Sequence, residues 1–153
     1  NNAAIPVGII YRRDYLAHPR AASGRTSRKI MNENEVTSAL QGVSGDSWRV
    51  KLSTLSLESI SFTEQVQIIA KQKMLIGAHG AALSYCLWMD PGSSLLEITS
   101  GAYASRFHFE YFAIWAGLRY KKMQASGGDN FQINTGVLVE NVQGMIKDML
   151  RGN

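Results

Sequence analysis

The chain has little cysteine and proline, and it lacks a long apolar run. Of its 153 residues, one is cysteine and three are proline. The single cysteine, Cys86, excludes an internal disulfide and a cysteine-based metal site, and its apolar surroundings predict a buried thiol. No apolar run reaches the ~18 residues that a membrane-spanning helix needs, and no targeting signal is visible. Because a strand pattern starts almost at once, we expect a fragment of a longer protein.

Charge is also modest, and it is unevenly placed. Charged residues make up 18% and apolar residues 45%, which is typical of one folded globular domain with its own core. Much of the net charge of +4 comes from one segment, which contains Arg12, Arg13, Arg20, Arg25, Arg28 and Lys29. Because no long basic stripe occurs elsewhere, this segment indicates a phosphate site and no nucleic-acid partner.

Five strand-like runs alternate with helical patterns along the chain. The strands are predicted at residues 6–11, 48–52, 74–77, 94–99 and 119–124. Short connections between alternating strands and helices imply parallel strands joined by right-handed crossovers. The sequence therefore predicts an α/β three-layer sandwich: a single Rossmann-like domain over residues 1–153, with a parallel sheet of about five strands and helices on both faces.

The helices are marked by their amino-terminal signals. Asn32 with Glu35, and Ser61 with Glu64, have the spacing of a capping box. Helices are therefore predicted from near residue 32 and after residue 61. Further helical patterns cover residues 81–88, 106–116 and 137–150, while residues 127–130 are predicted to form a loop.

Two loops are expected to meet at one crevice. With five strands in the order 2-1-3-4-5, the order reverses between the first and third strands, and ligands bind beyond the carboxyl ends of strands at such a point. The first strand runs into Arg12, and the third ends at residues 77–80, a glycine-bracketed histidine loop. The small residues that follow predict a helix start, whose N–H groups and dipole favour phosphate.

This crevice supplies the candidate site residues. Arg12 and Arg28 are candidate phosphate ligands, because arginine binds phosphate bidentately and keeps its charge; solvated surface charge is the alternative. His79 can donate to a phosphate oxygen or change its charge near neutral pH, and the alternative is a structural histidine bonded to a carbonyl. Turn formation alone would explain Gly77 and Gly80, although phosphate contact is compatible with it.

Other polar and aromatic residues have two interpretations each. Glu97 lies in an apolar strand beside the crevice, and a buried carboxylate needs a partner, either ribose hydroxyls or a local arginine. His18 and His108 are interpreted as surface or packing residues. An aromatic group, predicted to be core or interface, comprises Phe107, Phe109, Tyr111, Phe112 and Trp115.

Several blocks of the sequence resemble glycosyltransferase family 61. They are residues 61–66, residues 75–83, and Pro91-Gly92 followed by residues 95–98. Upstream, residues 10–12 and 28–33 resemble the arginine-bearing segment of that family, which runs into an Asn-Glu helix start. The blocks occur in the family's order and cover roughly residues 9–98, more than half of the chain.

The resemblance implies an inverting enzyme of GT-B architecture that uses a nucleotide sugar, and this chain would be its carboxyl-terminal, donor-binding lobe. Members transfer xylose, arabinose or N-acetylglucosamine, usually from UDP, to glycan or protein hydroxyls. The donor is a co-substrate, and neither a cofactor nor a metal is expected. The general base is expected from the missing amino-terminal lobe or its interface. Members work in the Golgi or endoplasmic reticulum lumen, and their membrane anchor has no counterpart in this chain.

By resemblance, Arg12 and Arg28 would bind the donor diphosphate, and His79, Gly80 and Ala81 would form the donor-site loop. We therefore predict Arg12, Arg28 and His79 as catalytic residues.

The same three residues, with Gly77, Gly80, Ala81 and Glu97, form the predicted donor-binding set.

The chain departs from the family pattern in three places. Ala82 stands where glycine is usual, and Tyr11 stands where a small hydroxyl residue is usual. The stretch between the two site arginines is longer than usual, so Arg13 or Arg25 could substitute in the phosphate clamp.

Two other functions remain open at this level. One is a non-catalytic nucleotide- or phosphate-binding module that serves a partner protein. The other is a hydrolase with His79 as base, although no serine elbow or carboxylate pair accompanies it.

Overall fold

The structure, a computed structural model, describes residues 2–14 and 25–152. Its strands and helices alternate along the chain. The strands are β1 (Ala3–Ile10), β2 (Trp48–Leu55), β3 (Met74–Ala78), β4 (Ser94–Thr99), β5 (Arg119–Gln124), β6 (Ser126–Gly127) and β7 (Phe131–Gln132). The α-helices are α1 (Glu33–Gln41), α2 (Phe62–Ala70), α3 (His108–Trp115) and α4 (Thr135–Arg151), and 3₁₀ helices cover Leu57–Ser59, Ala81–Trp88 and Gly101–Ser105.

The main sheet has five parallel strands in the order β2-β1-β3-β4-β5. This confirms the predicted order, and it places the reversal of strand order between β1 and β3. β3 and β4 are buried at every position, because helices cover both faces of the sheet. A strand buried on both faces needs no alternation of polar and apolar residues, which is why β3 and the Leu95–Leu96 part of β4 are apolar at consecutive positions.

Two hydrophobic clusters lie on opposite faces of the sheet and complete the three-layer sandwich. One joins β1, β3 and β4 to α1 and α4 through side chains such as Val7, Ile76 and Leu138. The other joins the same sheet to α2, α3 and the Ala81–Trp88 helix through Leu75, Leu83 and other side chains. The predicted α/β fold class is therefore confirmed.

The Ala81–Trp88 segment is a 3₁₀ helix, whereas the sequence predicted an ordinary helix. Its apolar spacing explains the difference. Leu83, Cys86 and Met89 recur every third residue and are all buried, and a helix with three residues per turn places them on one face. The i→i+3 bonds from Leu83 N to Gly80 O and from Met89 N to Cys86 O close its two ends.

The two predicted capping boxes have different outcomes. Ser61 accepts from the Glu64 amide and Glu64 accepts from the Ser61 amide, as expected. Asn32 is the N-cap residue of α1, as expected, but its side chain makes no cap bond, so the predicted capping box is wrong. Its side chain instead donates to Ile133 O at 2.9 Å and accepts from Ile133 N at 3.0 Å, which fixes the segment after β7. This partner lies about a hundred residues away, beyond any local pattern.

Gly117 has a φ of 69° and ends α3 as predicted. Residues 127–130 were predicted to be a loop, but Gly127 pairs with Phe131 in the β6–β7 hairpin, so the loop is shorter. Within residues 2–14 and 25–152, no helix combines the length and apolar content needed to cross a bilayer.

Candidate functional site: a basic crevice at the carboxyl edge of the sheet

The β1–β3 reversal brings the arginine loop against the histidine loop. Arg12 follows β1, and its Nε atom donates to Ser27 O at 2.8 Å. Its Nη1 atom lies so close to Gly80 that a Cβ atom there would collide with it. Gly80 therefore permits the close approach of Arg12 to the loop after β3. The predicted meeting of the two loops is present in the structure.

Gly77 and Gly80 serve different purposes. A Cβ atom on Gly77 would lie 2.9 Å from Leu83 Cδ2, so this glycine lets the 3₁₀ helix pack on the sheet. Packing beneath Leu83 thus accounts for the glycine at position 77. Of the two glycines, Gly80 is the one that lies against a predicted phosphate ligand.

Arg28 combines three unusual features. Its φ is 62°, and it is the one residue other than glycine with a positive φ among those that the structure describes. Its guanidinium stacks on the Tyr103 ring, with Cζ 4.7 Å from the centroid. Its Nε atom is buried and has no hydrogen-bond partner within the described part of the chain. Left-handed backbone and an unpaired buried donor each cost about 1–3 kcal/mol, and such strain is characteristic of functional sites.

Tyr103 connects Arg28 to His79. The Tyr103 and His79 rings are 5.1 Å apart at their centroids. Phe109 and His108 approach the other sides of the imidazole at 5.0 and 5.8 Å. His79 is thus enclosed by aromatic rings, and its side chain is 10% exposed.

Glu97 is the hydrogen-bond partner of His79. Its Oε1 atom contacts His79 Nδ1, and its Oε2 atom accepts from the Tyr120 hydroxyl. The carboxylate is completely buried. The alternative of an arginine partner is therefore wrong, since a histidine and a tyrosine hold both oxygens. The predicted contact with ribose stays a prediction, and these contacts favour a positioning role.

Register explains which residues reach Glu97. Lys122 lies directly opposite Glu97 on β5, but its Nζ atom donates to the carbonyls of Ala104 and Arg106. Tyr120 lies two residues before Lys122 on the same face, so its long side chain reaches Glu97 diagonally.

The environment of His79 controls its charge. Burial lowers its pKa, while the hydrogen bond and negative charge of Glu97 act in the opposite direction. The positive charges of Arg28 and His108 lower the pKa further. With a net lowering from 6.5, His79 is mostly neutral at pH 7 when no anion is bound.

Other members of the basic segment pair with acids. Arg13 forms an ion pair with Glu33, with Nη2 to Oε2 at 2.7 Å, and Lys29 Nζ lies 2.6 Å from Asp14 Oδ2. Because its guanidinium already pairs with Glu33, Arg13 is a poor substitute for Arg12 or Arg28 as a phosphate ligand. Arg25 is exposed.

His18 and Arg20 lie outside the described residues, so their predictions are not addressed by the structure. His108 is exposed and packs edge-on to His79, in agreement with a packing role.

Ala81, predicted to be part of the donor loop, is exposed at the start of the 3₁₀ helix. Tyr11 is buried behind the crevice, where its hydroxyl contacts Thr37 Oγ1 at 2.8 Å.

Sequence reasoning did not find Tyr103 or Tyr120. Tyr103 follows β4, whose carboxyl end was expected at the crevice, so topology was the available signal. Tyr120 had no such signal, because its role depends on register. Beside Tyr103 lies a cleft of about 380 Å³, lined by Ser100, Gly101, Tyr103, Arg106, Gly128 and Asp129. Among the described residues, no three His, Cys, Asp or Glu side chains form a metal-binding group.

The domain belongs to the Rossmann-like class, since it has a parallel sheet with a basic crevice where the strand order reverses. The family model for glycosyltransferase 61 matches residues 5–96. The chain is 34% identical over 120 residues to a beta-1,2-xylosyltransferase of Oryza sativa subsp. japonica, covering 78% of the chain and 22% of that protein. The chain belongs to glycosyltransferase family 61.

Two further relatives extend this result. A beta-1,2-xylosyltransferase of Arabidopsis thaliana is 36% identical over 121 residues, covering 75% of the chain and 22% of that protein. A protein O-linked-mannose beta-1,4-N-acetylglucosaminyltransferase 2 of Takifugu rubripes is 37% identical over 76 residues, covering 50% of the chain and 12% of that protein. The chain thus spans about a fifth of the length of the two plant relatives, at 22% of each.

Proposed function

We propose that the chain is the donor-binding lobe of an inverting glycosyltransferase of GT-B architecture that uses a nucleotide sugar, with UDP as the nucleotide. The observation that carries this proposal is the convergence of Arg12 and Arg28 on the His79–Gly80 loop. Arg12 lies against Gly80, and Arg28 reaches His79 through the Tyr103 ring. Membership in a glycosyltransferase family supports the assignment.

The chemistry of sugar transfer explains why this arrangement is useful. When the bond between the sugar and the diphosphate breaks, negative charge grows on the departing diphosphate. Arg12 and Arg28 would stabilise that charge, together with N–H groups at the start of the Ala81–Trp88 helix. Loss of one such donor raises the barrier by ~3 kcal/mol. The unpaired Nε atom of Arg28 fits this role, because it is a buried donor without an acceptor in the described chain.

The other parts of the donor would occupy neighbouring features. The cleft beside Tyr103 has a volume of about 380 Å³ and presents Arg106 and Asp129, a size in the range of small-ligand sites. We propose that it receives the nucleoside or the sugar. The acceptor site and the general base would be supplied by the rest of a longer protein, and the scheme requires no metal.

The relatives suggest the sugar and the compartment. Those with the longest matches are named as xylosyltransferases, and others as N-acetylglucosaminyltransferases. We therefore propose UDP-xylose or UDP-N-acetylglucosamine as the donor and a glycan or protein hydroxyl as the acceptor. The lumen of the Golgi or endoplasmic reticulum is the proposed compartment.

Calorimetric titration tests the donor site. The chain is titrated with UDP, UDP-xylose, UDP-N-acetylglucosamine and inorganic pyrophosphate. We expect Arg12→Ala and Arg28→Ala each to weaken UDP binding about tenfold or more, because a hydrogen bond to a charged group contributes ~1.5–3 kcal/mol. Arg151→Ala is the matched control, since Arg151 is exposed at the carboxyl end of α4 and pairs with Asp148.

Three results would count against the proposal. Failure of the unmodified chain to bind any of the UDP compounds would overturn it. Equal affinity for pyrophosphate and UDP would favour a phosphate-binding module instead. Equal losses in Arg151→Ala and Arg28→Ala would mean that the crevice is not the site.

A further inference from the structure

A line of hydrogen-bonded side chains runs from the edge strand to the crevice. Tyr120 on β5 donates to Glu97 on β4, and Glu97 contacts His79 in the loop after β3. Tyr120 is half-buried on the edge strand, Glu97 is 0% exposed, and the His79 side chain is 10% exposed. His79 lies in the loop after β3, so it is the member of this line that can meet a ligand in the crevice.

Hydrogen-bond chemistry fixes the proton positions along this line. The Tyr120 hydroxyl donates to Glu97 Oε2, and Oε1 is left to accept a hydrogen bond from His79. Neutral histidine carries one N–H, and a carboxylate beside Nδ1 places it on that atom. Nε2 then carries the lone pair. A buried carboxyl group is costly unless it is paired, and these two contacts give both Glu97 oxygens a partner.

Several charged or titratable groups act on the imidazole. They are Arg12 and Arg28 from the basic loop, Tyr103 after β4, His108 on α3, Glu97 on β4 and, through Glu97, Tyr120 on β5. Burial, and then the charges of Arg28 and His108, disfavour the imidazolium, and Glu97 favours it. A bound diphosphate would add negative charge beside Arg28 and tip this balance toward the protonated ring.

Resting on the donor site proposed above, we propose that Glu97 and Tyr120 are positioning residues that hold His79 in the Nδ1–H form. The Nε2 atom then takes up one proton from solvent when a diphosphate binds, and it donates that N–H to a phosphate oxygen. The step breaks no covalent bond of the protein or the ligand, and the proton returns to solvent when the diphosphate leaves. His79 thereby becomes a cation only while the anion is present.

Nitrogen-15 NMR of the histidine rings tests the positioning without any ligand. His79→Gln assigns the signals, because the chain also contains His18 and His108. We expect the Nδ1–H form for His79. Tyr120→Phe removes the donor to Glu97 and should raise the pKa of His79, while Glu97→Gln removes the charge and should lower it.

Tyr111→Phe is the matched control for Tyr120→Phe, because Tyr111 is 55% exposed on α3. Tyr120 is half-buried on an edge strand, so its variant is expected to fold even if Glu97→Gln does not. An Nε2–H form in the unmodified chain, or an unchanged pKa of His79 in Tyr120→Phe, would overturn the positioning role.

Calorimetry with UDP in buffers of different ionisation enthalpy tests the proton uptake. At pH 7.5 the unmodified chain should take up a fraction of a proton on binding UDP, and His79→Gln should take up none. Glu97→Gln should take up less and bind UDP about tenfold more weakly, equivalent to ~1.4 kcal/mol. Binding without proton uptake would overturn this inference alone, whereas the absence of UDP binding would overturn the donor site itself.

Discussion

Arginine is held differently at the two edges of the sheet. At the amino edge, Arg119 donates to Gly92 O and packs against Gly152, so backbone groups occupy its guanidinium. At the carboxyl edge, Arg28 has a left-handed backbone, stacks on Tyr103 and leaves its buried Nε atom unpaired. At the amino edge, Arg119 joins neighbouring segments of the fold. At the carboxyl edge, the conformation of Arg28 lowers the stability of the fold.

Unpaired polar atoms at the amino edge do not alter this contrast. Gln72 Oε1, Ser93 Oγ and Ser94 Oγ are also buried without partners in the described chain. They are neutral groups, and a hydroxyl or amide costs less to bury than a donor on a charged side chain. The two edges therefore differ in whether a charged side chain keeps an unpaired donor. Arg28 Nε is such a donor at the carboxyl edge, where a bound anion would pair with it.

The largest effect is expected from Arg28→Gly. Glycine adopts a positive φ without strain, and the variant also removes the unpaired Nε atom. We expect UDP affinity to fall about tenfold or more, while the free energy of unfolding in urea stays the same or rises by about 1 kcal/mol. A clear loss of stability would break the comparison, because it would make Arg28 a structural residue.

Arg119→Ala is the matched variant at the amino edge. It should lower the free energy of unfolding by about 1 kcal/mol, since it removes a hydrogen bond to Gly92 O. UDP affinity should not change. Loss of binding in this variant with retained folding would show that the two edges are not functionally distinct.

The two glycines of the histidine loop give the next largest effect. In Gly77→Ala the new methyl group meets Leu83, so we expect a loss of about 1–3 kcal/mol in unfolding free energy. In Gly80→Ala it meets the flexible end of Arg12 instead. Stability should then change by less than about 0.5 kcal/mol, while UDP binding weakens several-fold. Calorimetry and urea unfolding on the same samples measure both; equal stability losses would contradict the distinction.

The smallest effect concerns pH. Burial lowers the pKa of His79 in the folded chain below its ordinary value of 6.5. The unfolded chain then binds the proton more readily, so this contribution to stability is complete above about pH 6.5 and is lost as the pH falls. We expect the decrease in unfolding free energy between pH 7.5 and 5.5 to be smaller in His79→Gln than in the unmodified chain. An equal decrease would show that His79 is not held neutral by the fold.

Prediction from sequence succeeded where a pattern is local. The apolar runs located β3 and β4 closely, and the Ser61–Glu64 spacing identified a real helix cap. It failed where a distant residue competes for the same atoms. Asn32 bonds to Ile133 instead of capping α1. The three-residue spacing of Leu83, Cys86 and Met89 was present in the sequence. It indicates a 3₁₀ helix only because all three side chains pack against the sheet.

The sequence by itself determined the alternation of strands and helices, and it indicated a parallel sheet whose switch point brings the basic loop to the His79 loop. Local periodicity marks the elements, and the rules for crossovers and switch points in parallel sheets supply the rest. Only the tertiary structure decided that Glu97 binds His79 and Tyr120 and that Arg28 is strained over Tyr103. The reason is geometric: a side chain's partner depends on register and on diagonal reach between neighbouring strands, and residues distant in sequence set both.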